Sequence, residues 1–319
     1  MTTSLSPKEK VLGGLWGAIV GDALGVPVEF MKRPKLKENP VTDMREYGSH
    51  YQPRGTWSDD SSLMLCSTES LSKSGGFDAA HMGKLFVAWV NDKYWTAWNE
   101  VFDIGNATRK AIYKLKQGVD PEQAGGDSEE TDNGNGSLMR ILPIALYFAK
   151  APLSDLLSYA QRASSLTHRP LRSQMACGFY CAMAVALLEG ATAEEAYQQT
   201  IEQVRPFYEQ APYQAQLAPF ERIFSGKIGS YTEDDIKSGG YVIDTLEASI
   251  WCLLTTASYK EAVLKAVNLG KDTDTTGIVT GGLAGIYYGL EGLPAEWIGY
   301  IARREDLSQL FEEFVSSLK

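Results

Sequence analysis

The chain is short of the residues that most metal and redox chemistry recruits. It holds three histidines, His50, His81 and His168, and four cysteines, Cys66, Cys177, Cys181 and Cys252. So few imidazoles argue against the His-rich dinuclear centres of phosphoesterases. Cys177 and Cys181 stand four apart in an apolar helical context with no second pair. That spacing excludes a zinc cluster and leads us to expect buried, reduced thiols in a cytoplasmic protein. No segment alternates apolar and polar residues at a period of two, which excludes an extended sheet. The longest apolar runs carry Asp22 or break after about 14 residues, so no membrane span is expected. Met1 to Lys10 is polar and shows no targeting signal. Basic residues are in deficit, with 30 Lys and Arg against 40 Asp and Glu and a net charge of -10. That balance disfavours a nucleic-acid backbone as a partner.

What the chain does have is clustered oxygen. In Gly270-Lys271-Asp272-Thr273-Asp274-Thr275-Thr276-Gly277, two carboxylates stand two apart, with hydroxyls between and after them. An apolar, Gly-rich run follows. One carboxylate would suffice to cap a helix there. Two, with a Thr hydroxyl, make a set of hard donors of the kind Mg²⁺, Mn²⁺ and Ca²⁺ take as ligands. A second cluster, Trp57-Ser58-Asp59-Asp60-Ser61-Ser62, lies far upstream. Tandem Asp at a helix start also serves as simple capping. The sharper expectation is that the two clusters meet around divalent metal and form an active site.

Two glycine stripes share a four-residue step: Gly13, Gly17, Gly21 and Gly25, then Gly277, Gly281, Gly285 and Gly289. Each mid-helix Gly costs about 0.5–1 kcal/mol against Ala. The stripes therefore predict two central helices whose backbones approach closely, against each other or a shared neighbour.

In chain order, Ser6 as cap and Pro7 at the first position open a helix to Gly25. Glu29 follows on a loop between apolar residues, where a solvated carboxylate is the ordinary reading. Residues 31–56 read as loop. Helices are predicted over 61–71, 77–91, 100–117, 138–149, 153–165, 172–189, 193–204, 241–256, 259–269, 276–290 and 295–318. Tyr94, Trp95 and Trp98 read as a packing cluster. Residues 119–136 form a long acidic loop with Asp127, Glu129, Glu130 and Asp132, either solvated or a lid that draws a cationic group. Asn133 to Ser137 could offer backbone N–H groups to an anion or merely cap a helix. Residues 205–236 read as an irregular insertion with one short helix. The fold class is all-α: one domain, 1–319, of about a dozen helices.

Taken in order, these motifs resemble the ADP-ribosylglycohydrolases. The matching pieces are Gly21-Asp22-Ala23-Leu24-Gly25 with Glu29, Trp57-Ser58-Asp59-Asp60, and Phe102-Asp103-Ile104-Gly105. Asn133-Gly134-Asn135-Gly136-Ser137-Leu138-Met139-Arg140 and Thr167-His168 follow. Gly240-Tyr241-Val242, Asp244-Thr245-Leu246-Glu247-Ala248 and Asp272-Thr273-Asp274-Thr275 complete the set. Each piece is weak alone; the ordered set spans nearly the whole chain and is specific.

The resemblance implies an all-α fold around two divalent cations, Mg²⁺ or Mn²⁺. It places metal ligands at Ser58, Asp59, Asp60, Asp272, Asp274 and Thr275, with Glu29, Asp60 and Asp274 at the catalytic centre. Asp103 falls near the leaving group, and Asn135, Gly136, Ser137, His168 and Tyr241 in the ADP-ribose pocket. Ser58 departs from the more usual Thr but keeps the hydroxyl; residues 205–236 match nothing. The implied reaction is hydrolysis of the glycosidic bond between ADP-ribose and a protein or small-molecule acceptor. Arginine is favoured because Asp103 suits a guanidinium. Nucleic acid enters only as an ADP-ribosylated end, and a monomer is expected. A scaffold that holds ADP-ribose without cleaving it is the competing reading, against which stand the complete oxygen set and Glu29.

Overall fold

The first helix shows why the fold is built as it is. Ser6 Oγ accepts the Glu9 N–H at 3.2 Å, and the Glu9 carboxylate accepts the Ser6 N–H at 2.6 Å, a reciprocal cap. Helix α1 (Pro7–Gly25) then runs with every residue from Val11 to Gly25 buried. The computed structural model describes residues 5–126 and 130–318. Among these, fifteen α-helices and no sheet are found, only isolated bridges. After α1 come α2 (Arg33–Glu38), α3 (Asp59–Ser74), α4 (Ala79–Asp92) and α5 (Asn106–Lys116). The middle of the chain forms α6 (Leu142–Tyr147), α7 (Leu153–Ser165), α8 (Leu171–Glu189), α9 (Ala193–Tyr208) and α10 (Glu221–Phe224). The last third forms α11 (Val242–Leu254), α12 (Tyr259–Asn268), α13 (Thr273–Tyr288), α14 (Ala295–Tyr300) and α15 (Arg304–Ser317).

Helices α1 and α13 are the axis of the molecule, and they run antiparallel along the two glycine stripes. A Cβ on Gly13 would lie 2.3 Å from the Gly285 carbonyl oxygen; on Gly17, 2.4 Å from that of Gly281; on Gly21, 2.1 Å from that of Gly277. No side chain fits at such separations, so the predicted close approach is real and each helix is the other's partner. Gly25 ends the seam: a Cβ there would sit 2.3 Å from Asp274 Cα. Gly289 reaches the seam through its backbone, its carbonyl carbon lying 2.7 Å from a Cβ placed on Gly13, and it closes α13 at φ 70°.

The remaining helices wrap this pair, and the buried apolar side chains form one continuous core. Helix α1 with its extension to Val28, and α8, are long and apolar enough to cross a membrane by length and composition; 100% and 72% of their apolar windows are enclosed by protein. All four cysteines are free and buried.

The structure departs from the predicted elements at identifiable points. Residues 100–105 are not helical, and Asp103 sits at φ 56°, which a helix cannot contain. Helix α6 starts late because Pro143 has no N–H and fits only the first turn. The last predicted helix is two, broken where Arg303 takes φ 49°. Within 31–56 a short helix, α2, is pinned by Arg33, whose guanidinium donates to the carbonyls of Leu269, Glu233 and Ile236 at 3.0, 2.5 and 2.6 Å. Residues 205–236 contain α10 and four 3₁₀ turns. They are not loosely attached: Phe220, Ile223 and Ile228 are fully buried.

Candidate active site

Helix α3 is held at its start by a carboxylate from α1. Asp22 accepts the N–H groups of Ser58 and Ser61 at 3.1 and 3.0 Å, and the Ser61 hydroxyl at 2.5 Å. An anion at a helix N-terminus is stabilised by the orphan N–H groups and the dipole. Burial pushes the Asp22 carboxyl up to about 6, and these hydrogen bonds oppose it. Ser58 caps the helix, its Oγ accepting the Asp60 N–H at 3.2 Å. Trp57 fixes the approach by donating Nε1–H to the Trp95 carbonyl at 3.2 Å. Capping is thus supplied by Asp22 and Ser58, which leaves Asp59 and Asp60 without a capping role.

Helix α13 brings the second cluster to the same place. It begins at Thr273, three residues earlier than predicted, so Asp274 and Thr275 lie in its first turn. The Thr275 hydroxyl donates to Asp60 Oδ1 at 3.4 Å, across 215 positions of sequence. Asp272 Oδ2 accepts from Asn135 Nδ2 at 2.9 Å, and the same amide reaches Thr245 Oγ1 at 2.9 Å. The two oxygen clusters therefore share one site. Asp60 Oδ2 and Asp274 Oδ2 are buried and have no hydrogen-bond partner. Carboxylate oxygens of Glu29, Asp272 and Asp274 lie within 4.8 Å of one another.

So many buried acids cannot all ionise unaided. Burial, then the charges of Asp103, Asp22 and Asp272, lifts Asp59 well above the usual carboxylate range. Burial and Asp59 do the same to Asp60, and burial with Glu29 and Asp60 to Asp274. Glu29 is pushed up to about 10, first by burial and then by Asp103. Asp103 and Asp272 are also raised, burial leading. The donor set is all hard oxygen, it includes two orphaned carboxylate oxygens, and it is strained by like charge. Such a set fits a hard divalent cation.

Glu29 is carried on a loop stitched to the start of α13. Phe30 N–H donates to the Lys271 carbonyl at 2.6 Å, and Lys271 N–H to that of Met31 at 2.7 Å. The Glu29 carboxylate forms a short hydrogen bond with His50 Nε2. The imidazole lies between the rings of Phe30 and Phe102, at 5.7 and 5.1 Å. Ligating atoms of Glu29, His50 and Asp103 lie within 4.8 Å of one another. His50 was invisible in the sequence: it ends a short 3₁₀ turn, Gly48–His50, in no motif, and only the fold brings it to Glu29.

A cavity of about 270 Å³ opens over this cluster. One wall is Glu29, Asp59, Asp60, Asp103, Asp272 and Thr275; the other includes Thr108, Asn135, Gly136, Met139 and His168. Two residues expected in the pocket do not line it. The Ser137 hydroxyl accepts from Ser164 Oγ at 2.8 Å inside the core. The Tyr241 hydroxyl accepts from Arg172 at 2.9 Å. Asp274 and Ser58 lie behind the lining residues, one under Thr275 and the other in its capping role. The Asn135 N–H, expected to be free for an anion, is already donated to the Gly240 carbonyl at 3.1 Å. In the acidic loop, Thr131 reaches the cavity; Asp127, Glu129 and the Glu130 side chain lie outside the described residues.

Comparison with known proteins follows the same lines. Residues 3–319 match the family model described as ADP-ribosylglycohydrolase. The chain is 32% identical over 314 residues to an ADP-ribosylarginine hydrolase of Pseudomonas putida, covering 97% of this chain and 80% of that protein. It is 29% identical over 310 residues to the ADP-ribosyl-[dinitrogen reductase] glycohydrolase of Rhodospirillum rubrum, covering 93% and 91% of the two chains. A solved ADP-ribosylglycohydrolase-related protein complex contains a chain that superposes with a TM-score of 0.80 at 30% identity, covering 98% of this chain and 99% of its own. Motif order, helical fold and whole-length similarity agree, and the chain belongs to the ADP-ribosylglycohydrolase family.

Proposed function

We propose that this protein is a metal-dependent hydrolase that cleaves the bond between the anomeric carbon of ADP-ribose and a modified acceptor, with ADP-ribosyl-arginine as the first candidate. The observation that carries this reading is the meeting of the α3 and α13 oxygen clusters, with Glu29, at the floor of one cavity. Ser58, Asp59, Asp60, Asp272, Asp274 and Thr275 would hold two divalent cations, Mg²⁺ or Mn²⁺. When bound, the cations supply Lewis acidity and offset the charge of the carboxylates.

The chain's own residues then divide the work. Bond cleavage develops oxocarbenium-like positive charge on the ribose. Asp59 and Asp60, rigidly set on the first turn of α3, face the cavity and stabilise that charge. Glu29 moves the proton of the attacking water, and its contact with His50 orients the carboxylate toward the cavity. Asp103, half-buried beside Glu29 and lining the same space, pairs with a guanidinium leaving group, since Arg–carboxylate contacts are strong and directional. Asn135 positions Asp272, and Gly136 leaves room for the His168 ring, which a Cβ there would meet at 2.7 Å. The names of the Pseudomonas putida and Rhodospirillum rubrum relatives favour hydrolysis over mere binding.

Incubation with ADP-ribosyl-arginine and Mg²⁺ or Mn²⁺ should release free ADP-ribose. A panel of arginine-, serine- and nucleic-acid-linked conjugates that all remain intact would overturn the hydrolase reading and leave a binding protein.

A further inference from the structure

Arg140 is the largest polar side chain enclosed in the core, 1% exposed, and no carboxylate pairs with it. Its Nη2 donates to the Ala163 carbonyl at 2.9 Å and to Thr167 Oγ1 at 2.7 Å. Its Nε and Nη1 are buried without partners, and the guanidinium lies 4.8 Å from the Phe86 ring centroid. A buried cation with no anionic partner is costly. Its consequence lies one residue beyond Thr167.

The Thr167 hydroxyl is fully buried, so its single hydrogen has to be donated inside the protein. Arg140 has no lone pair to accept it. The acceptor in reach is His168 Nδ1, at 3.0 Å. An imidazole nitrogen that accepts carries no proton, so the proton of the neutral ring sits on Nε2. That edge of the ring faces the cavity. A Cβ on Gly134 would lie 3.3 Å from His168 Nε2, and one on Gly136 2.7 Å from His168 Cε1. Both glycines line the cavity with His168. Burial and the Arg140 cation also push His168 down to about 3, so the ring stays neutral through the physiological range.

We infer that Arg140 and Thr167 are positioning residues: acting in series, they fix His168 as a neutral donor whose Nε2–H points into the cavity at an acceptor oxygen of the ligand. The relay makes the ring a hydrogen-bond donor of fixed direction and no net charge. Taking that oxygen to be a phosphate or ribose oxygen of ADP-ribose rests on the function proposed above; the assignment of the tautomer does not.

Three histidines make the test direct. In full-length protein labelled with ¹⁵N-histidine, the His168 signals are assigned by their loss in His168→Gln. The expected spectrum shows Nε2 as the protonated nitrogen and Nδ1 as the bare one, unchanged between pH 6 and 8. Thr167→Val should mix the tautomers and weaken ADP-ribose binding by about 2–13-fold, the size of one net hydrogen bond. Thr167→Ser, which keeps the hydroxyl, should restore both the spectrum and the affinity. A wild-type ring protonated on Nδ1, or a Thr167→Val spectrum identical to wild type, would overturn the inference. Wild-type protein that binds no ADP-ribose would instead sink the reading of the pocket, and the spectrum would still decide the relay.

Discussion

Removing divalent metal should make this protein less stable as the pH rises, the reverse of ordinary acid denaturation. In the metal-free fold Glu29 is held up at about 10, against 4.5 for a free carboxyl. Across that interval the folded chain keeps a proton that the unfolded chain has released. Unfolding free energy then falls by about 1.4 kcal/mol per pH unit for each such proton. The contribution is greatest at and below the unfolded pKa and is lost as pH climbs toward the folded one. Asp59, Asp60 and Asp274, all raised by burial and by one another, act in the same direction. A chain of this length has an unfolding entropy of roughly 0.7 kcal/mol/K. One proton between pH 6 and 8 therefore lowers Tm by about 4 °C, and additional shared protons steepen the slope. Mn²⁺ at a hundred times its Kd should add about 2.7 kcal/mol, a similar rise in Tm. It should also flatten the slope, because the cation replaces the protons. Thermal melts in chelator and in Mn²⁺, at half-unit pH steps, make the measurement. A chelated Tm that is level or rising from pH 6 to 8 would show that the carboxylates ionise freely, and the argument for a charge-strained metal site would fail.

Other expectations follow from the same geometry. Asp274→Asn removes one of the crowded charges, so it should raise Tm in chelator yet abolish both the Mn²⁺-induced rise and turnover; hydrolysis that persists in chelator would contradict this. Glu29→Ala should retain the Mn²⁺-induced rise while turnover falls by about 10²–10⁴-fold, the range of a positioned acid–base group; near-normal turnover would remove Glu29 from the mechanism. Gly21→Ala forces a methyl to 2.1 Å from the Gly277 carbonyl oxygen and should cost at least about 1–3 kcal/mol. Gly299→Ala, within α14 and with open space around it, should cost nothing and stabilise by up to about 1 kcal/mol in the same denaturant titration.

The parts of the site that were legible in the sequence are those encoded locally. Asp59, Asp60, Asp272 and Asp274 stand out because two acids and a hydroxyl exceed what a helix cap needs. The glycine stripes announced α1 and α13 because their step matches a helix face and their cost demands a reason. His50 was not legible, since its partner Glu29 lies 21 residues away and no spacing rule links a residue after one short 3₁₀ turn to the last residue of another. Ser137 and Tyr241 were placed by motif order alone. Motif order gives the segment and not the direction of a side chain, and both hydroxyls are spent inside the protein. The helix at 100–117 failed at its start because Asp103 adopts a left-handed backbone, a choice made by its tertiary setting.

The glycine seam has a further consequence for how the protein is made. The surface of α1 that meets α13 has no partner until some 260 residues later in the chain, around Gly277. During synthesis this apolar helix, complete by Gly25, must wait through most of translation with that face uncovered. The paired acids at the start of α3 wait with it for Asp272, Asp274 and Thr275. Folding to an active molecule is therefore a post-translational event, and stalled or truncated chains that lack α13 present a long greasy helix to chaperones and proteases.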